Sequence, residues 1–256
     1  MKSLIKGKSL IKGKSLIKGT IAGLALSVAL SGMAMAETIR MGTEGAYPPY
    51  NFINDKGEVD GFERELGDEI CKRAGLTCEW VTNEWDSIIP NLVSGNYDTI
   101  IAGMSITAER DKVIDFTQDY YPPSPSYYVG MAGQSIDVKG GVIAAQTSTI
   151  QAGFVAESGA TLVEFATPDE TVQAVRNGEA DAVLADGDYL MPIVDESNGE
   201  LAVVGQESIG GGIGMGIRES DGGLKAKMDK AIGSMKADGT LNTMIKKWFG
   251  DDATVF

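Results

Sequence analysis

The 256-residue sequence has no histidine, only two cysteines, and 22 Lys plus Arg against 36 Asp plus Glu. Without imidazole, Ser-His-Asp and Cys-His catalysis, His-ligated zinc sites and HExxH metalloprotease chemistry are closed to this chain. The shortage of basic side chains, a net charge of −14, argues against a protein that coats DNA or RNA, because neutralising phosphates takes clustered Lys and Arg. What remains for function is carboxylates, guanidinium and ammonium groups, hydroxyls, aromatics and backbone. The hydrophobic share of 43% is ordinary for a globular fold, and the length suffices for one large domain or two small ones.

The basic residues are concentrated at the start. Lys2 to Gly19 is three identical copies of Lys-Ser-Leu-Ile-Lys-Gly, too short a unit to form a solenoid. Gly19 to Ala36 carries no charge, is rich in Ala, Leu and Val, and ends in Ala34-Met35-Ala36. A basic leader, a short apolar run and a small-x-small site predict a signal peptide over residues 1–36 and a mature start at Glu37. The alternative, a membrane anchor, is weakened by Ser27, Ser31 and two glycines in an already short run. No Cys follows the cleavage site to carry a lipid, so the product is expected to be soluble in the periplasm. Gly13-Lys14-Ser15 imitates a P-loop ending, but five residues separate Gly7 from Gly13 where the phosphate cradle needs four. Every charge in the leader is a lysine, so its removal leaves a still more acidic chain. Such a surface favours a monomer and weakly attracts cationic small solutes.

Cys71 and Cys78 both follow the leader. In an oxidising compartment such a pair forms one disulfide, the alternative being two separate buried thiols. On an unbroken helix their separation would be about 10 Å, too far for a bridge. The pairing therefore predicts a helix stop at Gly75 through a left-handed turn.

Strand and helix signals alternate along the chain. Thr38 to Thr43 reads as a strand; Phe62, Leu66, Ile70 and Ala74 mark one helix face; Glu79 to Thr82 is a strand; Ile88 to Val93 is a short helix with Ser87 as its cap. Asp98 to Ala102, Val142 to Ala145, Leu162 to Phe165, Ala182 to Ala185 and Leu201 to Val204 are further strand candidates, with Glu170 to Asn177 helical. Leu224, Met228, Ala231, Ile232 and Met235 share one helix face, and Leu241, Met244, Ile245 and Trp248 another, with Asp238-Gly239 breaking the chain between them. This rhythm predicts an α/β fold with mainly parallel sheet. Tyr121-Pro122-Pro123-Ser124-Pro125 and the glycine-rich run Gly210 to Gly216 read as connectors that leave one lobe and return to it. The glycine run lacks the GxGxxG spacing of a dinucleotide site.

Several motifs occur in order: Gly42-Thr43-Glu44-Gly45-Ala46-Tyr47-Pro48-Pro49-Tyr50, Gly61-Phe62-Glu63-Arg64-Glu65-Leu66, the Cys71 to Cys78 spacing, Ser105-Ile106-Thr107-Ala108-Glu109-Arg110, Phe116-Thr117, and Asp238-Gly239-Thr240 before a helix ending Lys247-Trp248-Phe249. Together they resemble the polar amino acid-binding proteins of bacterial ATP-binding-cassette (ABC) importers, especially the lysine/arginine/ornithine and histidine binders, over essentially the whole mature chain. The resemblance implies a type II periplasmic binding protein fold with two α/β lobes, two crossover hinge segments and a ligand cleft between the lobes. On this reading residues 37–124 form the first lobe, 125–214 the second, and 215–256 return to the first. It also implies an amino acid ligand, membrane permease subunits as partners, and no cofactor, metal or nucleic acid.

A zwitterion enclosed between lobes needs a partner for each charge. By resemblance Arg110 receives the carboxylate through its planar fork, although in isolation the run Glu109-Arg110-Asp111 would read as solvated surface charge. Ser105 adds a hydroxyl, and Gly103 a close backbone approach where the family often has Ser. Thr149 stands where the second lobe adds a carboxylate donor at a helix start, in a Gln146-Thr147-Ser148-Thr149 segment that departs from the family's Gly-Thr-Thr pattern. Asp186 matches the acceptor of the α-ammonium; otherwise it is a loop Asp beside Gly187. Tyr47 and Trp85 match the aromatics that flank the ligand side chain, Trp being larger than usual there; either could instead be core. Glu44 matches the position that meets a distal cation, and turned outward it would leave a neutral pocket. A periplasmic enzyme of the same fold, such as a cyclohexadienyl dehydratase, is the alternative, but no positioned general acid is evident and the chain is expected not to be an enzyme.

Overall fold

The computed structural model describes residues 38–256, so the expected signal peptide, its cleavage site and Glu37 lie outside the described residues. Two five-stranded sheets organise the chain. The first runs Thr77–Thr82, Thr38–Thr43, Thr99–Ile100, Gly216–Ile217, Asp115–Phe116; the second runs Thr161–Phe165, Val142–Gln146, Ala182–Asp186, Ser126–Met131, Leu201–Glu207. Each is mixed rather than mainly parallel. In the first sheet Thr38–Thr43 pairs in parallel on both sides, but Gly216–Ile217 inserts antiparallel between two strands. In the second, Ser126–Met131 inserts antiparallel between Ala182–Asp186 and Leu201–Glu207. These inserted strands directly follow the two passages between lobes, and a chain arriving from the other lobe enters the sheet against the local direction. Ser126–Met131 went unread in the sequence because it abuts the proline-rich connector.

The two passages lie side by side. The Tyr120 N–H donates to the Ile213 carbonyl at 2.7 Å and the Ile213 N–H to the Tyr121 carbonyl at 2.9 Å. The approach is close enough to require glycine: a Cβ on Gly212 would stand 2.8 Å from both the Tyr121 carbonyl oxygen and the Asp119 side chain. That contact gives the glycine run a packing reason in place of a nucleotide-binding one.

The helix predicted from Gly61 spans Phe62–Ala74 and buries Phe62, Leu66 and Ile70. It stops at Gly75, which adopts a left-handed conformation with φ 70° and donates back to the Cys71 and Lys72 carbonyls. The chain then turns into Thr77–Thr82, and Cys71 and Cys78 are disulfide-bonded with Cα atoms 6.2 Å apart. Ile88–Val93 is helical as expected, but the Ser87 hydroxyl donates to the Glu84 carbonyl and does not cap the helix. Two further helices, Ile150–Ser158 and Gly187–Glu196, carried no clear signal: the first shows little contrast in polarity between its faces and the second contains Pro192. The C-terminal helices Gly222–Ala237 and Thr240–Phe249 bury the faces read from the sequence, Met228, Ala231, Ile232 and Met235 on one and Leu241 and Ile245 on the other.

The disulfide closes a short loop, so its entropic effect on the unfolded chain is modest, about 2 kcal/mol. The Cys71→Ser/Cys78→Ser double variant is expected to lose stability of that order in urea unfolding while keeping the fold by circular dichroism.

Candidate ligand-binding site

The cleft between the sheets is formed by the carboxyl ends of parallel strands, where open α/β sheets present binding groups. Glu44 follows Thr38–Thr43, and Ala102 and Gly103 follow Thr99–Ile100; from the opposite sheet, Gln146 ends Val142–Gln146 and Asp186 ends Ala182–Asp186. With the lobes in this position the cavity is narrow, about 30 Å³ open to water, and is lined by Glu44, Tyr47, Trp85, Ala102, Gly103, Ser105, Arg110, Gln146, Thr149, Ile150, Gln151 and Asp186. All eight positions singled out in the sequence line this one cavity. Ala102, Gln146, Ile150 and Gln151 are the additions. The two glutamines flank Thr149 at the helix start, and that placement was the one available signal.

Arg110 opens a short helical turn, Arg110–Lys112, whose backbone places it beside the loop before it. Its Nη1 donates to the Ser105 carbonyl at 2.9 Å and its Nη2 to the Ser148 carbonyl of the opposite lobe at 3.3 Å. The guanidinium carbon lies 5.4 Å from the centre of the Trp85 ring, a cation–π contact. Among the described residues Arg110 forms no ion pair, and loss of water pushes its pKa down to about 10, with Asp186 and Glu109 opposing. Part of its surface stays open, but its charged end is surrounded by enough protein for desolvation to dominate.

Asp186 accepts from the Tyr47 hydroxyl at 2.8 Å and from Gln151 Nε2 at 2.9 Å. It too has no cationic partner within ion-pair distance among the described residues, and desolvation raises its pKa to about 6 against these hydrogen bonds and the pull of Arg110. Glu44 faces inward: its Oε1 accepts from Gln146 Nε2 at 2.6 Å, and desolvation, helped by Glu84 and Glu63, raises its pKa to about 7. Tyr47 stacks on Tyr189 at 4.5 Å between ring centres. Trp85 is buried, and its Nε1 has no hydrogen-bond partner. The Gly103 N–H donates to Glu63 at 2.6 Å. Thr149 caps Ile150–Ser158: its hydroxyl accepts from the Ala152 N–H at 3.1 Å and donates to the Gln146 carbonyl at 2.6 Å.

Residues 39–251 match the bacterial extracellular solute-binding proteins, family 3. The chain belongs to that family. This family 3 protein is 32% identical over 251 residues to the lysine/arginine/ornithine-binding periplasmic protein of Escherichia coli, an alignment covering 90% of this chain and 96% of that one. It is 31% identical over 249 residues to the L-arginine-binding protein of Pseudomonas aeruginosa, covering 91% and 96% respectively. A solved structure from Silicibacter pomeroyi, a periplasmic His/Glu/Gln/Arg/opine family-binding protein in complex with lysine, is 75% identical, with a TM-score of 0.83 over 85% of this chain and 100% of that one. The two-lobed type II fold and the solute-binding function follow, and the binding-protein reading stands over the dehydratase alternative because these relatives are binding proteins. Among the described residues no helix is long and apolar enough to cross a membrane.

In this solute-binding protein the lobes are shut on each other through Tyr47–Asp186, Glu44–Gln146, Arg110–Ser148 and a Tyr50 hydroxyl bond to Asp188 at 3.1 Å. Burial of Glu44 and Asp186 between the shut lobes raises both pKa values above those of solvated carboxyls, so the shut state binds more protons than one in which they are solvated. By linkage, shutting is favoured fully below about pH 4 and progressively lost as pH rises to about 7. Small-angle scattering of ligand-free protein is expected to show a larger radius of gyration at pH 8 than at pH 4.5, and Glu44→Gln is expected to reduce the difference.

Proposed function

We propose that this protein captures a cationic amino acid, lysine, arginine, ornithine or a basic derivative, by closing its lobes around it, and hands it to the permease subunits of an ABC importer. The observation that carries the reading is a desolvated guanidinium and a desolvated carboxylate in one cavity, each without an ion-pair partner among the described residues. An α-carboxylate satisfies Arg110 and an α-ammonium satisfies Asp186, so the ligand brings both missing charges at once. Glu44, a third inward-facing acid, then calls for a second cation on the ligand side chain. Tyr47 and Trp85 offer aromatic faces to the methylene stem and its charge. Ser105, Thr149 and the Gly103 backbone complete the carboxylate's surroundings.

The relatives' names support amino acid cargo and a periplasmic setting. We further propose that residues 1–36 are a cleaved signal peptide, that residues 37–124 and 215–256 form the first lobe and 125–214 the second, and that the working form is a monomer.

A thermal-shift screen of the common amino acids and opines is expected to raise the melting temperature with basic ligands, since ligand stabilises by mass action. In calorimetry, Arg110→Ala and Asp186→Ala are each expected to weaken lysine or arginine binding by more than a hundredfold, as one buried ligand charge loses its partner. Glu44→Gln is expected to weaken lysine and arginine far more than glutamine. A screen in which no basic amino acid binds would overturn the ligand assignment.

A further inference from the structure

Glu63 does not line the cavity, yet it is the one charged side chain among the described residues fully shut off from solvent. No cation answers it. Its three partners are neutral donors: the Gly103 N–H at 2.6 Å and the Tyr120 hydroxyl, both on Oε1, and Asn51 Nδ2 on Oε2 at 2.7 Å. A carboxylate held without a cation is costly to bury. What it supplies that an amide cannot is two acceptor oxygens at once.

Each donor belongs to a different part of the binding apparatus. Gly103 lines the cavity. Tyr120 lies in the first passage between lobes, and its N–H donates to Ile213 of the second passage. Asn51 turns its other end to the Gly45 N–H, accepting at 2.7 Å, and so holds the turn that presents Glu44. Three segments far apart in sequence are thus referred to one side chain on the first turn of the helix Phe62–Ala74.

We propose that Glu63 is a positioning residue for the ligand site, holding the Gly103 loop and the Glu44–Gly45 turn in register with the hinge, so that affinity and closure depend on a group that never touches the ligand. The inference rests on the proposed amino acid ligand. The polarity of the Glu63–Asn51 bond makes it testable. In Glu63→Gln an amide donor would face the Asn51 donor, and flipping Asn51 would only set its NH2 against the Gly45 N–H. In Asn51→Asp two carboxylates would meet at hydrogen-bond distance, and one must take a proton. In the Glu63→Gln/Asn51→Asp double variant the amide and the carboxylate have changed places. The amide now donates to the carboxylate and its oxygen still accepts from Gly103 and Tyr120, while the carboxylate still accepts from Gly45. Every bond is restored with one polarity reversed.

Lysine affinity by calorimetry, closure by scattering with and without lysine, and melting temperature are measured on wild type, both single variants and the double variant, well below their melting temperatures. Each single variant is expected to bind lysine about tenfold or more weakly, the order expected for one unpaired buried polar group. Affinity in Asn51→Asp, taken relative to wild type at the same pH, is expected to recover as pH is lowered and the carboxylate pair takes up its proton, and the double variant is expected to return to within about threefold of wild type. Single variants that melt earlier but bind and close like wild type would make Glu63 a matter of stability alone and overturn the proposal. So would a double variant that binds no better than the singles. Should the singles fail to fold, Tyr120→Phe, which removes one donor and keeps the ring, is expected to weaken binding and reduce closure; unchanged values there overturn the proposal too. Wild-type protein that binds no amino acid would sink the ligand assignment and this inference with it, whereas binding by wild type with unaffected variants overturns this inference alone.

Discussion

The constraint on which the rest depends is the cost of taking charge out of water. Arg110 and Asp186 stand across one cavity, each surrounded by enough protein to shift its pKa and neither matched by an ion-pair partner among the described residues. On the proposed reading a zwitterion would remove both penalties together, which would make closure with ligand a different event from closure without it. On the proposed reading the same arithmetic selects for a complete amino acid, because a carboxylate or an amine alone would answer one group and leave the other unpaired.

Closure in turn depends on the two passages between sheets. They lie in hydrogen-bonding contact, packed so closely at Gly212 that a side chain would not fit. Because each passage runs into an inserted antiparallel strand, the hinge is anchored at both ends in sheet rather than in loop. Small backbone rotations there would carry each sheet as a unit, and the residues that line the cavity at the carboxyl ends of parallel strands would travel with it. The bonds that cross the cleft, Tyr47 to Asp186 and Glu44 to Gln146, occupy the groups a ligand would use. On the proposed reading ligand entry would exchange these protein partners for ligand partners.

Aromatic packing stiffens the first lobe beneath the site. Tyr50, Phe62, Tyr121 and Phe249 meet edge to face or tilted, joining the loop after Tyr47, the helix after Gly61, the first passage and the C-terminal helix. The C-terminal part of the chain thus joins the first sheet through Gly216–Ile217 and completes a ring cluster through Phe249.

Local chemistry in the sequence determined much of the fold. The period of Phe62, Leu66 and Ile70, the stop at Gly75 that brings Cys71 to Cys78, and the two C-terminal helix faces are short-range patterns, written in residues a few positions apart. The resemblance carried by the ordered motifs also marked eight of the twelve residues that line the cavity, although only Glu44, Tyr47, Ser105 and Arg110 stand within the motifs themselves. Tertiary structure alone decided what those residues face. Nothing near Asp186 in sequence shows that Tyr47 and Gln151 hold it, or that Glu44 turns inward to Gln146 rather than out to water, because these bonds join segments distant in the chain. The antiparallel strand Ser126–Met131 escaped detection because it abuts the proline-rich connector, and the helix Ile150–Ser158 because its faces differ too little in polarity to leave a period to read. Glu63 looks from the sequence like one acid in a charged first turn, and only the convergence of Asn51, Gly103 and Tyr120 gives it three donors and no cation.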